Sequence, residues 1–405
     1  MSAATSAPAA PAWSNASGRQ TWPNEAFWIC VQTGVTPVAI GMPGDAKSMT
    51  TYAFGNAVDR SLYTLIGGLR DPADIGGYPY PAKIGVNGDS RDVMKIIPPE
   101  WAAACCDESR KWIIFLDELT TIPPAVQAAM LRILVERYVG DLKLPEDTWI
   151  MGACNPPDQA ANGIEFSPPM ANRLYHHQWE RDTDAVLDGY ANGLKFGAPQ
   201  FPVLPDDWEQ HIVGIGGLVS AFHRHLPGRL SQFPEDRMQQ GGPWPSPRTW
   251  EYTIRCMAAA RSVNAEKGIS LQLARGLVGE AVALELFQWL ENLDLPDPEE
   301  LIQKALDALS SGNPMDYHHP DRPDKVMAMM AGINQAVISD NTPPRWEAGM
   351  HILYLASQQA MDVALACAKP LASAMPQGAK WSGEFLKELF PRIDRALRGT
   401  PSGRN

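Results

Sequence analysis

Residues 41 to 48 read Gly-Met-Pro-Gly-Asp-Ala-Lys-Ser and lie directly behind a short apolar run, Thr36-Pro-Val-Ala-Ile40. Such a segment needs a buried strand to deliver it into a tight turn and a helix to leave from it. That requirement confines the chain to strand–loop–helix architectures. In a loop of this pattern the backbone N–H groups cradle the α- and β-phosphates of a nucleotide. Gly41, Pro43, Gly44, Asp45, Ala46, Lys47, Ser48 and Met49 are the candidate phosphate-contacting residues. Lys47 would reach the β/γ oxygens, and Ser48 would supply a hydroxyl to Mg2+. Ala46 stands where a glycine is usual, and its Cβ crowds a turn that can demand a positive φ.

A second half-site lies downstream. Trp112-Ile-Ile-Phe-Leu-Asp117-Glu118 reads as a buried strand ending in two carboxylates. In a phosphate-loop enzyme the first acid, Asp117, completes the metal shell, and the second, Glu118, polarises an attacking water. The next apolar run, Trp149-Ile-Met-Gly-Ala-Cys154, ends at Asn155-Pro156. Alone this pair is a turn signal. At the end of a neighbouring strand, the Asn155 amide could orient that water against a γ-phosphate. Arg173 follows in Ser167-Pro-Pro-Met-Ala-Asn-Arg173-Leu-Tyr-His176. An isolated arginine is usually a solvated surface residue, but this one is spaced to reach a neighbouring copy's γ-phosphate. Arg248, in Pro245-Ser-Pro-Arg-Thr-Trp250, sits at a helix start, where a cation gains nothing from the helix dipole. That placement suits an arginine aimed at phosphate. The combined pattern predicts an ATP site using Mg2+.

With 405 residues and 45% hydrophobic content, the chain can bury a sizeable core and divide into two or three domains. From about residue 25 to 181, strand-like and helix-like segments alternate, which predicts a parallel α/β sheet. Two Pro/Gly-rich insertions interrupt it, one from Asp74 through Tyr78-Pro-Tyr-Pro81 to Asp92 and one at Tyr138-Val-Gly-Asp-Leu-Lys-Leu-Pro145. They read equally as substrate-facing loops or as plain surface hairpins. Residues 182–270 are expected to form a linker and helical lid, and 271–405 a helical extension. Helices are expected over Trp250–Ser262, Leu271–Leu290, Pro298–Ser310, Lys325–Asp340, Arg345–Ala372 and Gly383–Arg398. Residues 1–24 read as a disordered arm rich in Ala, Ser and Pro, without a signal-peptide pattern, so a cytoplasmic location is expected. No apolar run approaches the roughly 20 residues that span a bilayer. The six cysteines lack C-x-x-C spacing and read as small semi-buried hydrophobes in a reducing compartment. A net charge of −12 argues against a nucleic-acid binder.

The chain resembles the AAA+ ATPases over about residues 36 to 260, and within them the MoxR-like group. The loop 41–48 is similar to their Walker A, Ile113 to Leu119 to Walker B, Gly152 to Pro156 to sensor 1, Met170 to Leu174 to the arginine-finger segment, and Ser246-Pro-Arg248 to the sensor 2 helix start. The Ser-Pro-Arg segment and the Glu136-containing helix before the second insertion carry the narrower resemblance. It implies that Lys47 and Ser48 bind phosphate and Mg2+, Asp117 completes the metal shell, Glu118 activates water and Asn155 positions it. Arg173 would act in trans, and Arg248 would contact the nucleotide from the lid. It also implies a ring, most simply a hexamer, that remodels a protein client, commonly one carrying a von Willebrand factor A domain. An alternative is a nucleotide-gated scaffold whose turnover is weak because of Ala46; a nucleic-acid motor fits the acidic balance least.

Overall fold

The computed structural model describes residues 22–380, apart from 87–88, 157–158, 160–163, 197–198, 294 and 319. The expected N-terminal arm falls almost wholly outside the described residues, and the helix expected over 383–398 entirely so.

The first half runs α1 (Glu25–Gln32), β1 (Thr36–Ile40), α2 (Lys47–Ala57), β2 (Ser61–Ile66), α3 (Pro72–Gly76), β3 (Tyr78–Val86), β4 (Asp89–Ile97), α4 (Glu100–Ala104) and β5 (Trp112–Asp117). It continues with α5 (Pro124–Glu136), β6 (Tyr138–Val139), β7 (Leu142–Lys143), β8 (Trp149–Cys154), α6 (Pro168–Ala171), β9 (Leu174–Gln178) and α7 (Thr183–Ala191). β1, β2, β5, β8 and β9 form a five-stranded sheet in the order β2-β5-β8-β1-β9, every pair parallel. Both faces are covered, so the central strands β1, β5 and β8 read as near-continuous apolar runs. Successive residues still alternate between faces. Ile113, Phe115, Met151 and Ala153 pack with Phe27, Trp28 and Phe54 of α1 and α2. Ile114, Leu116 and Ile150 pack on the other side with Val126, Met130 and Ile133 of α5.

The first insertion is more regular than a Pro/Gly-rich loop. β3 and β4 pair antiparallel from Tyr78↔Ile97 to Val86↔Asp89 as a separate ribbon. Pro79 and Pro81 are two residues apart, so both missing N–H groups lie on the same side of β3. An edge strand tolerates that on its unpaired side. The second insertion is the β6–β7 hairpin. Asp141 at its turn accepts the Ile96 N–H through Oδ2 (3.0 Å) and donates its own N–H to the Ile96 carbonyl (3.4 Å), which ties the two hairpins together.

The second half is helical: α8 (Ile212–His225), α9 (Pro247–Ser262), α10 (Lys267–Val278), α11 (Glu280–Glu291), α12 (Pro298–Ser311), α13 (Pro323–Ser339), α14 (Pro343–Ser357) and α15 (Met361–Ser373). Two expected helices are each split in two. The segment 271–290 breaks at Gly279, which takes φ 87° between α10 and α11. The segment 345–372 breaks after Ser357 with no glycine or proline at the bend. There the chain doubles back so that Trp346 Nε1 donates to the Leu371 carbonyl (2.8 Å) and Asn334 Nδ2 to the Cys367 carbonyl (2.8 Å). The boundary expected at residue 270 falls inside α10, and the helices on both sides of it share one core with Ala26, Ile29 and Cys30 of α1.

Candidate functional site

Because β1, β5 and β8 are parallel with β8 in the middle, their C-terminal ends deliver the 41–46 loop, Asp117-Glu118 and Asn155 to one edge of the sheet. Open α/β sheets bind ligands at this edge. Lys47, the first residue of α2, is 8% exposed. Its ammonium donates to the carbonyls of Gly41 (2.7 Å) and Met42 (2.8 Å) and to Asn155 Oδ1 (3.1 Å). All three donors are thus engaged, and the loop is tied to the end of β8. Burial pushes the Lys47 pKa down, opposed chiefly by the negative charges of Asp45 and Asp117. Ser48 Oγ donates to Asp117 Oδ2 (2.9 Å), and Asp117 Oδ1 accepts the Glu118 N–H (2.9 Å). Thr120 Oγ1 donates to the Asn155 carbonyl (3.0 Å) and steadies that strand end.

Two non-glycine residues here are left-handed, Ala46 and Glu118, each at φ 58°. An L-residue pays roughly 1–2 kcal/mol in this region, and such residues gather at functional sites. At Glu118 the turn interrupts the line of β5 and leaves the side chain exposed. Ala46 is the N-cap of α2, and no side chain caps that helix. The first-turn N–H groups and the positive end of the helix dipole therefore face the loop, an arrangement suited to an anion. The Ser48 hydroxyl beside the Asp117 carboxylate is an all-oxygen donor pair that fits Mg2+. This ion is held by one or two protein oxygens and completes its shell with phosphate and water. Met49, the last candidate of the loop, is exposed on α2, and Pro43 and Gly44 are exposed in the turn.

Two residues that no motif marks also hold the loop. The Trp179 N–H extends the β9 pairing to the Ile40 carbonyl (2.8 Å), and Trp179 Nε1 donates to the Asp45 carbonyl (3.1 Å). A Cβ at Gly41 would lie 2.9 Å from the Trp179 Cβ, so glycine is required there by the exit of β9. Arg181 Nε lies 3.3 Å from Asp45 Oδ1. The signal that could have found them is the strand order, which sets β9 beside β1.

Arg173 and Arg248 lie elsewhere. Arg173 immediately precedes β9, whose first residue Leu174 pairs with Thr36 at the N-terminal end of β1. That end is about 17 Å from the loop at the ~3.3 Å rise of a strand. Arg173 Nη1 donates to the Pro169 carbonyl. Arg248 Nη1 donates to Asn172 Oδ1 (3.3 Å), which also accepts from the N-cap hydroxyl of α9, Ser246 Oγ (2.9 Å). Burial, and then the like charge of Arg248, push the Arg173 pKa down. The structure thus groups Arg248 with Arg173 at the far edge, because Ser246 anchors the start of α9 to the entry of β9. The expected reach of Arg248 from the lid to its own chain's loop is not among its described contacts.

Sheet, loop and strand-end acids together define a P-loop-like α/β domain followed by a helical part. No protein-family model and no curated protein matches the sequence. Among solved structures, the crystal structure of a putative ATPase from Cytophaga hutchinsonii is similar to the chain, with 15% identity, 65% of this chain and 85% of that chain covered, and a TM-score of 0.38. A resemblance this distant says nothing about activity. Among the described residues, no helix is long and apolar enough to cross a membrane.

Proposed function

We propose that the chain is an Mg2+-dependent ATPase of the AAA+ type, MoxR-like in kind, that assembles head to tail into a ring, most simply a hexamer. The reading is carried by one observation: Lys47 and Ser48, opening the helix that follows β1, are bonded to Asn155 and Asp117 at the C-terminal ends of the adjacent strands β8 and β5. Lys47 exchanges its carbonyl partners for β/γ oxygens, and the α2 N-terminus holds the phosphate chain. Bound Mg2+ supplies neutralisation of charge on those oxygens, with Ser48 and Asp117 as its protein ligands. Glu118, exposed at the strand end, accepts the proton of the attacking water, and Asn155 orients it. Arg173 and Arg248, at the far edge, serve the site of the neighbouring copy.

The work done is remodelling of a protein client in the cytoplasm, a partner with a von Willebrand factor A domain being the first candidate, with the paired hairpins facing it. The net charge of −12 speaks against a nucleic-acid track. A second reading, a nucleotide-gated scaffold with weak turnover, is supported by the left-handed Ala46. Two variants test the assignment. Lys47→Ala should abolish nucleotide binding in a titration. Glu118→Gln should keep binding while phosphate release falls about 10²–10⁴-fold, the usual worth of a positioned base. Undiminished binding by Lys47→Ala would remove the loop from the site. Wild-type binding without phosphate release would favour the scaffold.

A further inference from the structure

The phosphate loop carries an acid where it should least want one. Asp45 and Lys47 cancel each other, so the side chains of residues 41–49 bring no net charge to a polyanion. The Asp45 carboxylate cannot readily swing away. Its own carbonyl is held by Trp179 Nε1 at 3.1 Å, its N–H donates to the Met42 carbonyl at 3.3 Å, and the side chain is only 13% exposed. Its negative charge is the foremost of those acting on the Lys47 ammonium. Among the described residues, the cation in ion-pair contact with Asp45 is Arg181, 3.3 Å away and brought there by the exit of β9. Arg181 is itself 59% exposed, so as a contribution to folding this pair is worth little.

We propose that Arg181 is a positioning residue of the phosphate site: it masks the Asp45 carboxylate and returns a net positive charge to the loop, so that the Arg181–Asp45 pair sets affinity for polyphosphate. This rests on the nucleotide-binding reading above. An unmasked carboxylate several ångströms from a triphosphate acts on every phosphate charge at once, and through partly screened solvent that repulsion amounts to about tenfold in affinity. The penalty therefore grows with ligand charge, which a merely structural prop would not produce.

The experiment titrates fluorescent ATP, ADP and AMP analogues, with Mg2+, into the full chain and its variants. Arg181→Ala should weaken ATP about tenfold, ADP less and AMP least, with the gap closing at high salt, while its melting temperature stays near wild type. Arg181→Lys should retain most of the affinity. Asp45→Asn alone should bind at least as tightly as wild type, and Arg181→Ala combined with Asp45→Asn should return to near wild-type affinity. The proposal is overturned if Asp45→Asn weakens binding as Arg181→Ala does and the double variant fails to recover. An equal penalty for AMP and ATP would overturn it too. Lys47→Ala serves as the control: loss of binding there with no effect of Arg181→Ala sinks this inference alone, whereas no loss at Lys47→Ala sinks the underlying reading.

Discussion

Ala46 holds φ at 58° with a Cβ attached, at the position from which α2 starts. Glycine reaches this region without the steric cost of roughly 1–2 kcal/mol, but it also releases more entropy to the unfolded chain, a loss of roughly 0.5–1 kcal/mol. The balance predicts that Ala46→Gly raises stability by up to about 1.5 kcal/mol, readable as a higher melting temperature. If Ala46 is also what slows turnover, phosphate release should increase in the same variant. A lower melting temperature would mean that the Cβ makes a contact worth more than the strain. This strain was partly legible in the sequence, because an alanine in a glycine's place raises the question of φ directly. The meeting of Lys47, Ser48, Asp117 and Asn155 was legible for a different reason: Asp117 and Asn155 close two apolar runs, Lys47 and Ser48 close the loop behind a third, and parallel strands bring such ends together. Trp179 and Arg181 were not, since their role comes from a neighbouring strand rather than from any local pattern.

At the scale of single elements, β9 concentrates most of what was hidden. Its entry positions Asn172 and Arg173, and its exit straps the loop. Between them lie two buried histidines. His176 Nε2 meets the Ala171 carbonyl (2.9 Å), while His177 bridges the Tyr175 hydroxyl (3.0 Å) and Asn24 Oδ1 (2.9 Å). Burial pushes their pKa values down to about 4 and about 3. Unfolded histidine takes up its proton near pH 6.5, where the folded forms cannot. Stability is therefore lost as pH falls below that value, by up to about 2 kcal/mol per histidine at pH 5. The melting temperature should drop between pH 7 and pH 5. His177→Gln, which keeps an amide toward Asn24, should flatten that slope even where it lowers stability overall. An unchanged slope would show that other groups govern it. The helix breaks teach a related lesson. Gly279 was a visible breaker in a segment whose periodicity still ran through it, whereas the turn after Ser357 carries no local signal and exists because Trp346 and Leu371 must meet.

For the whole molecule, the sheet was legible because burial on both faces leaves short, continuous apolar runs in its central strands. How the helical half joins it was not. α1 contributes Phe27, Trp28 and Val31 to the sheet and Ala26, Ile29 and Cys30 to the helices, so one short helix serves both cores. The proposed assembly has a direct test at this scale. Arg173→Ala and Glu118→Gln chains should each be inactive alone. Mixed, they can form junctions where an intact Arg173 meets an intact Glu118, so partial turnover should return. An Arg173→Ala variant with unchanged turnover, or a monomer at full rate, would rule the arrangement out.

In the proposed assembly, the separation of Arg173 and Arg248 from Lys47 along β9 would also set the symmetry. Each copy would present an arginine edge and a phosphate edge on different surfaces, so contact between copies would be heterologous. A two-fold axis would set arginine edge against arginine edge and complete nothing. Rotation that closes gives a cyclic ring in which every junction is whole; rotation that fails to close gives a filament with one unmatched edge at each end. Lone copies and two-fold pairs would then be silent, and a single damaged arginine edge would disable the site of its neighbour rather than its own.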